Sequence, residues 1–199
     1  EFFRDASVFA VLRRAIAGLV ATKQPGDAIR VWVPGSATGE EAYSIAILLA
    51  EILGDRLAQR ELRVFASDID QEALAFARTG IYSVADLAGL DPERRNRWFC
   101  PEGNGWRVSK TLRELCVFSA HDLTGHPPFI RMDLISCRNI LIYFKPAQQA
   151  ELIRTFHFAI NPGGLLLLGQ SESVGATNGL FEAIDPAARL FRRRAAAGA

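Results

Sequence analysis

Short runs of β-branched and aromatic residues alternate along the chain with longer segments in which apolar residues recur every three or four positions. Phe9, Leu12 and Ile16 have that helical spacing, which predicts an amphipathic helix over residues 6–23. The apolar run at 30–33 then predicts a buried strand. Alternation of this kind is typical of a mostly parallel sheet with helices on both faces.

The same pattern continues through most of the sequence. The further elements that it predicts are helices at 42–53, at 72–78 and from Pro146 onward, and strands at 62–67, 132–137, 165–169 and 189–192. The predicted fold class is therefore α/β.

The alternation of strand and helix patterns stops between residues 81 and 117. Asp91-Pro92 and the segment 101–105 are typical turn sequences, and they predict a small antiparallel insertion made of hairpins rather than crossover helices. Its aromatic residues, Trp98, Phe99 and Trp106, are interpreted as a miniature core. An exposed patch for a partner is the alternative.

Composition excludes several classes of protein. The chain has 199 residues, is 49% hydrophobic and carries a net charge of +1, so it has the balance of a single globular domain and no basic excess that would indicate nucleic acid. Its apolar stretches are shorter than the roughly 20 residues that span a bilayer, and it shows no signal-peptide pattern. Three cysteines without metal-ligand spacing suit a reducing compartment. We expect a cytoplasmic protein with no metal site and no membrane insertion.

The turn at 34–39 joins the first strand to a helix, the position at which open α/β sheets bind ligands. It has neither G-x-G-x-x-G nor a P-loop lysine, which disfavours phosphate binding. Glu40 and Glu41 at the helix start favour a cationic ligand instead, and S-adenosylmethionine (SAM) is one. Asp68 ends the second strand, where Rossmann-type proteins hold ribose hydroxyls. An ordinary βα turn with solvent-facing acids remains an alternative.

A second polar group follows the predicted strand at 132–137. Arg138 and Asn139 stand at the end of this buried run, either as ligand-binding residues or with Arg138 in an ion pair with Asp68 or Asp122. The polar residues 171–173 follow the next predicted strand and are interpreted as simple capping.

Taken together, five segments resemble one family, the chemotaxis-receptor glutamate O-methyltransferases, or CheR family. They are FFRD at 2–5, RVWVPGSATGEEAYSIAILLAE at 30–51, VFASDIDQEALAFARTGIYS at 64–83, DLISCRNILIYF at 133–144 and PGGLLLLGQSES at 162–173.

This resemblance implies a Rossmann-like, SAM-dependent fold that transfers a methyl group to chemoreceptor glutamates, forming γ-methyl esters. It also implies roles for individual residues. Arg4 and Tyr143 would face the methyl group and the incoming carboxylate as catalytic residues. The cofactor-binding residues would be Arg4, Gly35, Glu41, Asp68, Asp122, Leu123, Arg138 and Asn139.

The resemblance further implies a domain organisation and partners. Residues 1–199 would form the SAM-dependent domain, with 81–117 as the β-subdomain that in some family members grips a receptor C-terminal peptide. The loop at 101–105 looks short, so we expect no dependence on that peptide. The chain starts inside the first motif, so the family's N-terminal helical domain is expected to be absent from it. A monomer that acts on the cytoplasmic domain of receptors is expected.

A different class of function stays open at this point. The chain could be a non-catalytic module that binds SAM or S-adenosylhomocysteine within a larger signalling protein. Arg4 and Tyr143 discriminate between the two hypotheses, because their presence favours chemistry. A nicotinamide-dependent reductase is disfavoured by the missing G-x-G-x-x-G.

Overall fold

A seven-stranded sheet, a smaller three-stranded sheet and six helices make up the part of the chain that the computed structural model describes, residues 1–177 and 179–194. The helices are α1 Ala6–Thr22, α2 Glu40–Leu53, α3 Gln71–Thr79, α4 Pro92–Trp98, α5 Lys110–Leu115 and α6 Pro146–Ala159. The strands are β1 Ile29–Pro34, β2 Leu62–Asp68, β3 Ile81–Ser83, β4 Phe99–Glu102, β5 Gly105–Val108, β6 Cys116–Ala120, β7 Met132–Cys137, β8 Ile160–Leu168, β9 Phe181–Asp185 and β10 Leu190–Arg193. Short 3-10 helices lie at Gly54–Gln59, Leu141–Tyr143 and Gly175–Thr177. Within the described ranges, no helix combines the length and the apolar character needed to cross a membrane.

The main sheet has the strand order β6-β2-β1-β7-β8-β10-β9. Its first five strands are parallel, and β10 runs antiparallel to both β8 and β9. The chain builds outward from β1 through β2 to β6 on one side and from β7 to β8 on the other. The order therefore reverses between β1 and β7, and in open α/β sheets this is where a ligand crevice opens at the carboxyl ends of the strands.

Helices cover both faces of this sheet, as the apolar spacing predicts. Val31 and Val33 of β1 point into a core shared with α1 and α2. Trp32, between them, points to the opposite face and belongs to a core shared with α6. Because neighbouring side chains of a strand face opposite ways, a continuous apolar run such as β1 is the expected sequence of a strand buried on both sides.

The antiparallel insertion is present as the sheet β3-β5-β4. Trp98 and Phe99 are buried and Trp106 is partly buried, so the exposed patch is wrong. The miniature core is wrong as well, because these aromatic residues join the core that β1 shares with α1 and α2.

The segment 81–117, predicted as hairpins rather than crossover helices, differs from that prediction in two respects. First, α4 and α5 lie in this segment. Asp91 caps α4 by accepting from the Arg94 N–H, with Pro92 in its first turn, and Ser109 caps α5 by accepting from the Leu112 N–H. Second, β6 pairs with β2 in the main sheet, so the insertion ends before Cys116. Helices of six and seven residues are too short to show a helical period, which is why the pattern missed them.

Candidate functional site

Five loops meet at the carboxyl edge of the main sheet, one after each of the parallel strands β1, β2, β6, β7 and β8. Their backbone is unusual. The non-glycine residues with positive φ in the described chain include Ala37 (43°) and Asn139 (61°) in two of these loops, and Phe3 (51°) and Asp5 (65°) in the N-terminal segment beside them. Such conformations persist only where the surrounding structure enforces them, and they concentrate at functional sites.

Arg138 is at the centre of this edge. Its side chain is 2% exposed and donates from Nη1 to Glu41 Oε2 at 3.2 Å and to the Arg4 carbonyl oxygen at 3.3 Å. Its Nη2 pairs with the carboxylate of Asp5, while Ser136 Oγ donates to Glu41 Oε1 at 2.6 Å. The sequence-based ion pair with Asp68 or Asp122 is therefore wrong. The reason is strand order, because β7 lies beside β1, and the helix that follows β1 presents Glu41 to Arg138.

The electrostatics of Glu41 follow from this crowded position. Burial raises the pKa of Glu41, and the nearby charge of Glu172 also raises it. The charge of Arg138 and the hydrogen bonds from Ser136 and Arg138 lower the pKa, but they do not offset burial. The ionised carboxylate is thus only partly compensated, and an additional cation beside it would be stabilised.

The N-terminal segment is held against the core by its two phenylalanines. Phe2 is buried with its ring edge-on to Tyr82 and Phe99, and the Phe3 N–H donates to Ser44 Oγ at 3.0 Å. This anchoring places Asp5 against Arg138 and leaves the Arg4 side chain exposed.

Asp68 connects the loops that follow β1, β2 and β6. Its Oδ2 accepts from the Ala37 N–H at 2.8 Å, and its Oδ1 accepts from the Asp70 N–H at 3.0 Å. Its carbonyl oxygen accepts from the His121 N–H at 2.9 Å. A carboxylate has about four acceptor positions, so Asp68 keeps capacity for the hydroxyl groups of a ligand.

Asp122 and Leu123 lie in the loop after β6. Thr124 donates from its N–H and from its Oγ1 to Asp122 Oδ1 at 2.7 and 2.8 Å, and these bonds lower the pKa of Asp122. Leu123 is half-buried against the core that α6 covers. The loop thus presents an ionised carboxylate next to an apolar side chain.

The segment after Arg138 closes over the turn at 34–39. A Cβ on Gly35 would lie only 2.1 Å from Ile140 Cδ1, so Ile140 packs directly on this glycine. Ser36 Oγ, in the same turn, is buried and has no hydrogen-bond partner among the described residues. Tyr143 ends the following 3-10 helix, and 80% of it is exposed.

Contacts on this edge connect most of the residues that the sequence singled out: Arg4, Gly35, Glu41, Asp68, Arg138 and Asn139. Asp122 and Leu123 follow His121, which is bonded to Asp68. Tyr143 lies on the surface at the end of the segment that begins at Asn139.

Sequence reasoning assigned no site role to Asp5 and Ser136, which bind the central Arg–Glu pair. It interpreted Glu172 as part of a capping segment, whereas Glu172 is buried and bonded to the loop after β7. Two features of the sequence could have indicated them. Ser136 is a polar residue within a buried strand, and Asp5 is an acidic residue next to Arg4.

The fold has a counterpart among solved structures. A crystal structure of the DszA carbon methyltransferase has the same fold, with a TM-score of 0.52, 17% identity, and coverage of 86% of this chain and 36% of that one. Residues 1–189 match the family model described as CheR methyltransferase, SAM binding domain, and the chain belongs to that family.

Two curated relatives illustrate this membership. An uncharacterized 104.1 kDa protein of Rhodobacter capsulatus is 37% identical over 193 residues, covering 96% of this chain and 20% of that protein. The chemotaxis protein methyltransferase of Salmonella typhimurium is 39% identical over 181 residues, covering 86% of this chain and 59% of that protein. The chain therefore spans between a fifth and three fifths of the length of these relatives.

Proposed function

We propose that this chain is the catalytic domain of a SAM-dependent O-methyltransferase that converts glutamate side chains of chemoreceptors into γ-methyl esters. The observation that carries the proposal is that the chain belongs to the CheR family. Two carboxylates near the reversal of strand order between β1 and β7 support it: Glu41 binds Arg138 after β7, and Asp68 accepts from the Ala37 N–H in the loop after β1.

The residues present suit the chemistry of SAM. Glu41 has a raised pKa and only one partial counter-charge, so it favours a cationic group such as an ammonium or sulfonium. Asp68 has acceptor capacity for ribose hydroxyls, and Asp122 with Leu123 offers a carboxylate and an apolar surface for the adenine. Ser36 Oγ is a buried hydroxyl that lacks a partner among the described residues, as expected where a ligand completes the bonding. Gly35 shapes the turn, and Ile140, which directly follows Arg138 and Asn139, packs on it.

Bound SAM would supply an activated methyl group on its sulfonium. The chain's own task is then to position the acceptor. A glutamate carboxylate has a pKa near 4.3 and is already ionised at neutral pH, so no strong general base is needed. The exposed guanidinium of Arg4 is proposed to pair with one carboxylate oxygen, and the exposed Tyr143 hydroxyl to donate to the reacting region. Alignment and exclusion of water then supply most of the acceleration.

The proposed partner is the cytoplasmic domain of chemoreceptors. The β3-β5-β4 sheet is the candidate contact for a receptor C-terminal peptide. Only Gly103 and Asn104 join β4 to β5, and this short hairpin supports a chain that works without that peptide. We further propose that the domain acts as a monomer in the cytoplasm.

Calorimetric titration with S-adenosylhomocysteine tests the cofactor site. We expect micromolar binding to the chain, loss of binding in Asp68→Ala, and unchanged binding in the control Glu182→Ala, which alters an exposed acid on β9. Equal affinity of Asp68→Ala and the unaltered chain would refute the assigned site.

Methyl transfer is tested separately with SAM that carries a labelled methyl group and a receptor cytoplasmic fragment. We expect label on glutamate as an ester that base hydrolyses to methanol. Binding of S-adenosylhomocysteine without transfer to any receptor fragment would favour the non-catalytic module instead.

A further inference from the structure

Glu172 is a buried carboxylate with an uncommon set of partners. The residue is 4% exposed and follows β8, and each of its two oxygens accepts two backbone N–H groups. Oε1 accepts from Ile140 at 2.8 Å and Leu141 at 2.7 Å, and Oε2 accepts from Asn139 at 3.1 Å and Gly169 at 2.6 Å. In residues 1–177 and 179–194, no lysine or arginine forms a salt bridge with it.

The backbone at the start of this segment explains why a carboxylate fits there. Asn139 has a left-handed conformation (φ 61°) and Ile140 a right-handed one (φ −117°, ψ −44°). Successive residues of opposite hand turn their N–H groups into one concavity, which binds anions. Three consecutive donors converge here, and each would be destabilising if it were buried without an acceptor.

Gly169 lies directly against the contact between Glu172 and Asn139. A Cβ at this position would lie 2.7 Å from Glu172 Oε2 and 2.8 Å from the Asn139 nitrogen. Only glycine therefore lets the end of β8 and the loop after β7 approach closely enough to share the carboxylate. Glu172 joins these two neighbouring loops of the carboxyl edge.

We propose that Glu172 is a positioning residue for the methyl-transfer site, an anion built into the protein that fixes the segment from Asn139 to Tyr143. The inference rests on the proposed function, because that function places Asn139 at the cofactor and Tyr143 at the acceptor carboxylate. The mechanical link is short. Leu141 is anchored by Glu172 and begins the single 3-10 turn that ends at Tyr143, and the Tyr143 N–H donates to the Ile140 carbonyl oxygen at 3.1 Å.

Amide hydrogen exchange followed by NMR tests the anchoring without any ligand. In the unaltered chain we expect the Asn139, Ile140 and Leu141 amides to exchange slowly, although within the described residues their acceptors are the side-chain oxygens of Glu172. In Glu172→Gln these three amides should exchange at least about tenfold faster, with β1 and α2 unchanged, because an amide group offers one acceptor oxygen instead of two. Fast exchange of the three amides in the unaltered chain would overturn the proposal.

Chemical rescue tests whether the negative charge of the Glu172 side chain is needed or only its volume. Glu172→Ala should bind S-adenosylhomocysteine about tenfold more weakly than the unaltered chain. Added acetate should restore both the affinity and the slow exchange, whereas acetamide, of similar shape but uncharged, should restore neither. Glu182→Ala serves as the matched control and should respond to neither compound. Equal rescue by acetate and acetamide, or an affinity unchanged in Glu172→Ala, would refute a positioning role for the charge.

The two readouts distinguish the failure of this inference from the failure of the proposed function. Absence of S-adenosylhomocysteine binding to the unaltered chain, together with slow exchange that Glu172→Gln abolishes, would refute the proposed cofactor site and with it the role in methyl transfer. Normal binding with exchange that is independent of Glu172 would refute the anchoring alone.

Discussion

Two clusters of arginine and carboxylate side chains in this molecule have nearly the same chemistry and opposite electrostatic outcomes. The edge cluster, at the carboxyl end of the sheet, consists of Arg138 between Glu41 and Asp5. The outer cluster consists of Glu51 of α2 between Arg94 and Arg13, and it lines a surface cleft of about 520 Å³.

The carboxylates of the two clusters differ in the direction in which their pKa is shifted from the ordinary glutamate value. Burial raises the pKa of Glu41 more than Arg138 and Ser136 lower it. Burial also acts to raise the pKa of Glu51, but the hydrogen bonds and charges of Arg94 and Arg13 outweigh it, so that pKa is lowered. Arg94 binds both oxygens of Glu51, with Nε–Oε1 at 2.8 Å and Nη2–Oε2 at 2.9 Å.

Burial acts on both carboxylates, so the difference between them comes from the surrounding charges. One arginine serves two carboxylates in the edge cluster, which leaves a formal excess of one negative charge. In the outer cluster two arginines bind Glu51 and Arg94 also lies 3.9 Å from Asp91, so the positive and negative charges balance. The outer cluster is therefore complete in itself. The edge cluster is suited to take up an additional cation, which is what the proposed function requires of it.

The largest expected effect is that of removing the central cation of the edge cluster. Arg138→Met should lower the free energy of unfolding by about 3–5 kcal/mol, because it leaves Glu41 uncompensated in a largely buried position. The loss should be larger at pH 8 than at pH 5. A carboxyl group whose folded pKa lies above its unfolded pKa stabilises less as pH rises through that interval. Urea unfolding at both values of pH measures this.

Arg94→Met is the matched control for that substitution, since it removes a more exposed arginine and leaves Arg13 paired with the Glu51 carboxylate. We expect a loss of about 1 kcal/mol. If the two variants lost equal stability, the distinction between an incomplete and a complete cluster would be wrong.

The next effect concerns the packing of the edge rather than its charge. Gly35→Ala should destabilise the chain by about 2–3 kcal/mol, because alanine is strained at φ 65° and its Cβ would collide with Ile140. Ile140→Ala removes the colliding atoms. In a double-mutant cycle measured by urea unfolding, the double variant should therefore be more stable than the sum of the single effects by about 1 kcal/mol or more. Strict additivity would mean that the loops at this edge are not packed as described.

The parallel core of the fold was predictable because its signals are local. A run such as Val31 to Val33 is apolar on both faces of the strand, and α1 is long enough to show its helical period. The segments α4, α5, β6 and β9 were not predicted as such. The helices α4 and α5 are too short to show a helical period, whereas β6 and β9 are the two edge strands of the main sheet and have only one buried residue each, so they lack a continuous apolar run.

The position of the candidate site was predictable from the sequence, but the pairing of its side chains was not. Glu41, Asp68 and Arg138 stand at the ends of predicted strands or the starts of helices, so the sequence places them at one edge. Which acid meets Arg138 depends on β7 lying beside β1, a consequence of strand order that local patterns do not contain. The contacts of Glu172 are harder still to predict from the sequence. Its partners are backbone N–H groups, which every residue except proline has, so no particular side chain marks them.

The smallest expected effect is the pH dependence contributed by the outer cluster. Glu51→Gln should lower the free energy of unfolding by about 1 kcal/mol near neutral pH, where the ionised carboxylate binds both arginines. The folded pKa of Glu51 lies below the unfolded value of about 4.3, so its contribution is complete above that value and disappears as pH falls through the folded pKa. The free energies of unfolding of the unaltered chain and of Glu51→Gln should therefore differ above pH 5 and become equal in acid.

The raised pKa of Glu41 makes its stabilising contribution change with pH in the opposite direction. A carboxyl titration followed by NMR should therefore find the pKa of Glu41 above, and that of Glu51 below, the ordinary glutamate value. Two carboxyl groups that titrate at the same pH would contradict the contrast between the clusters.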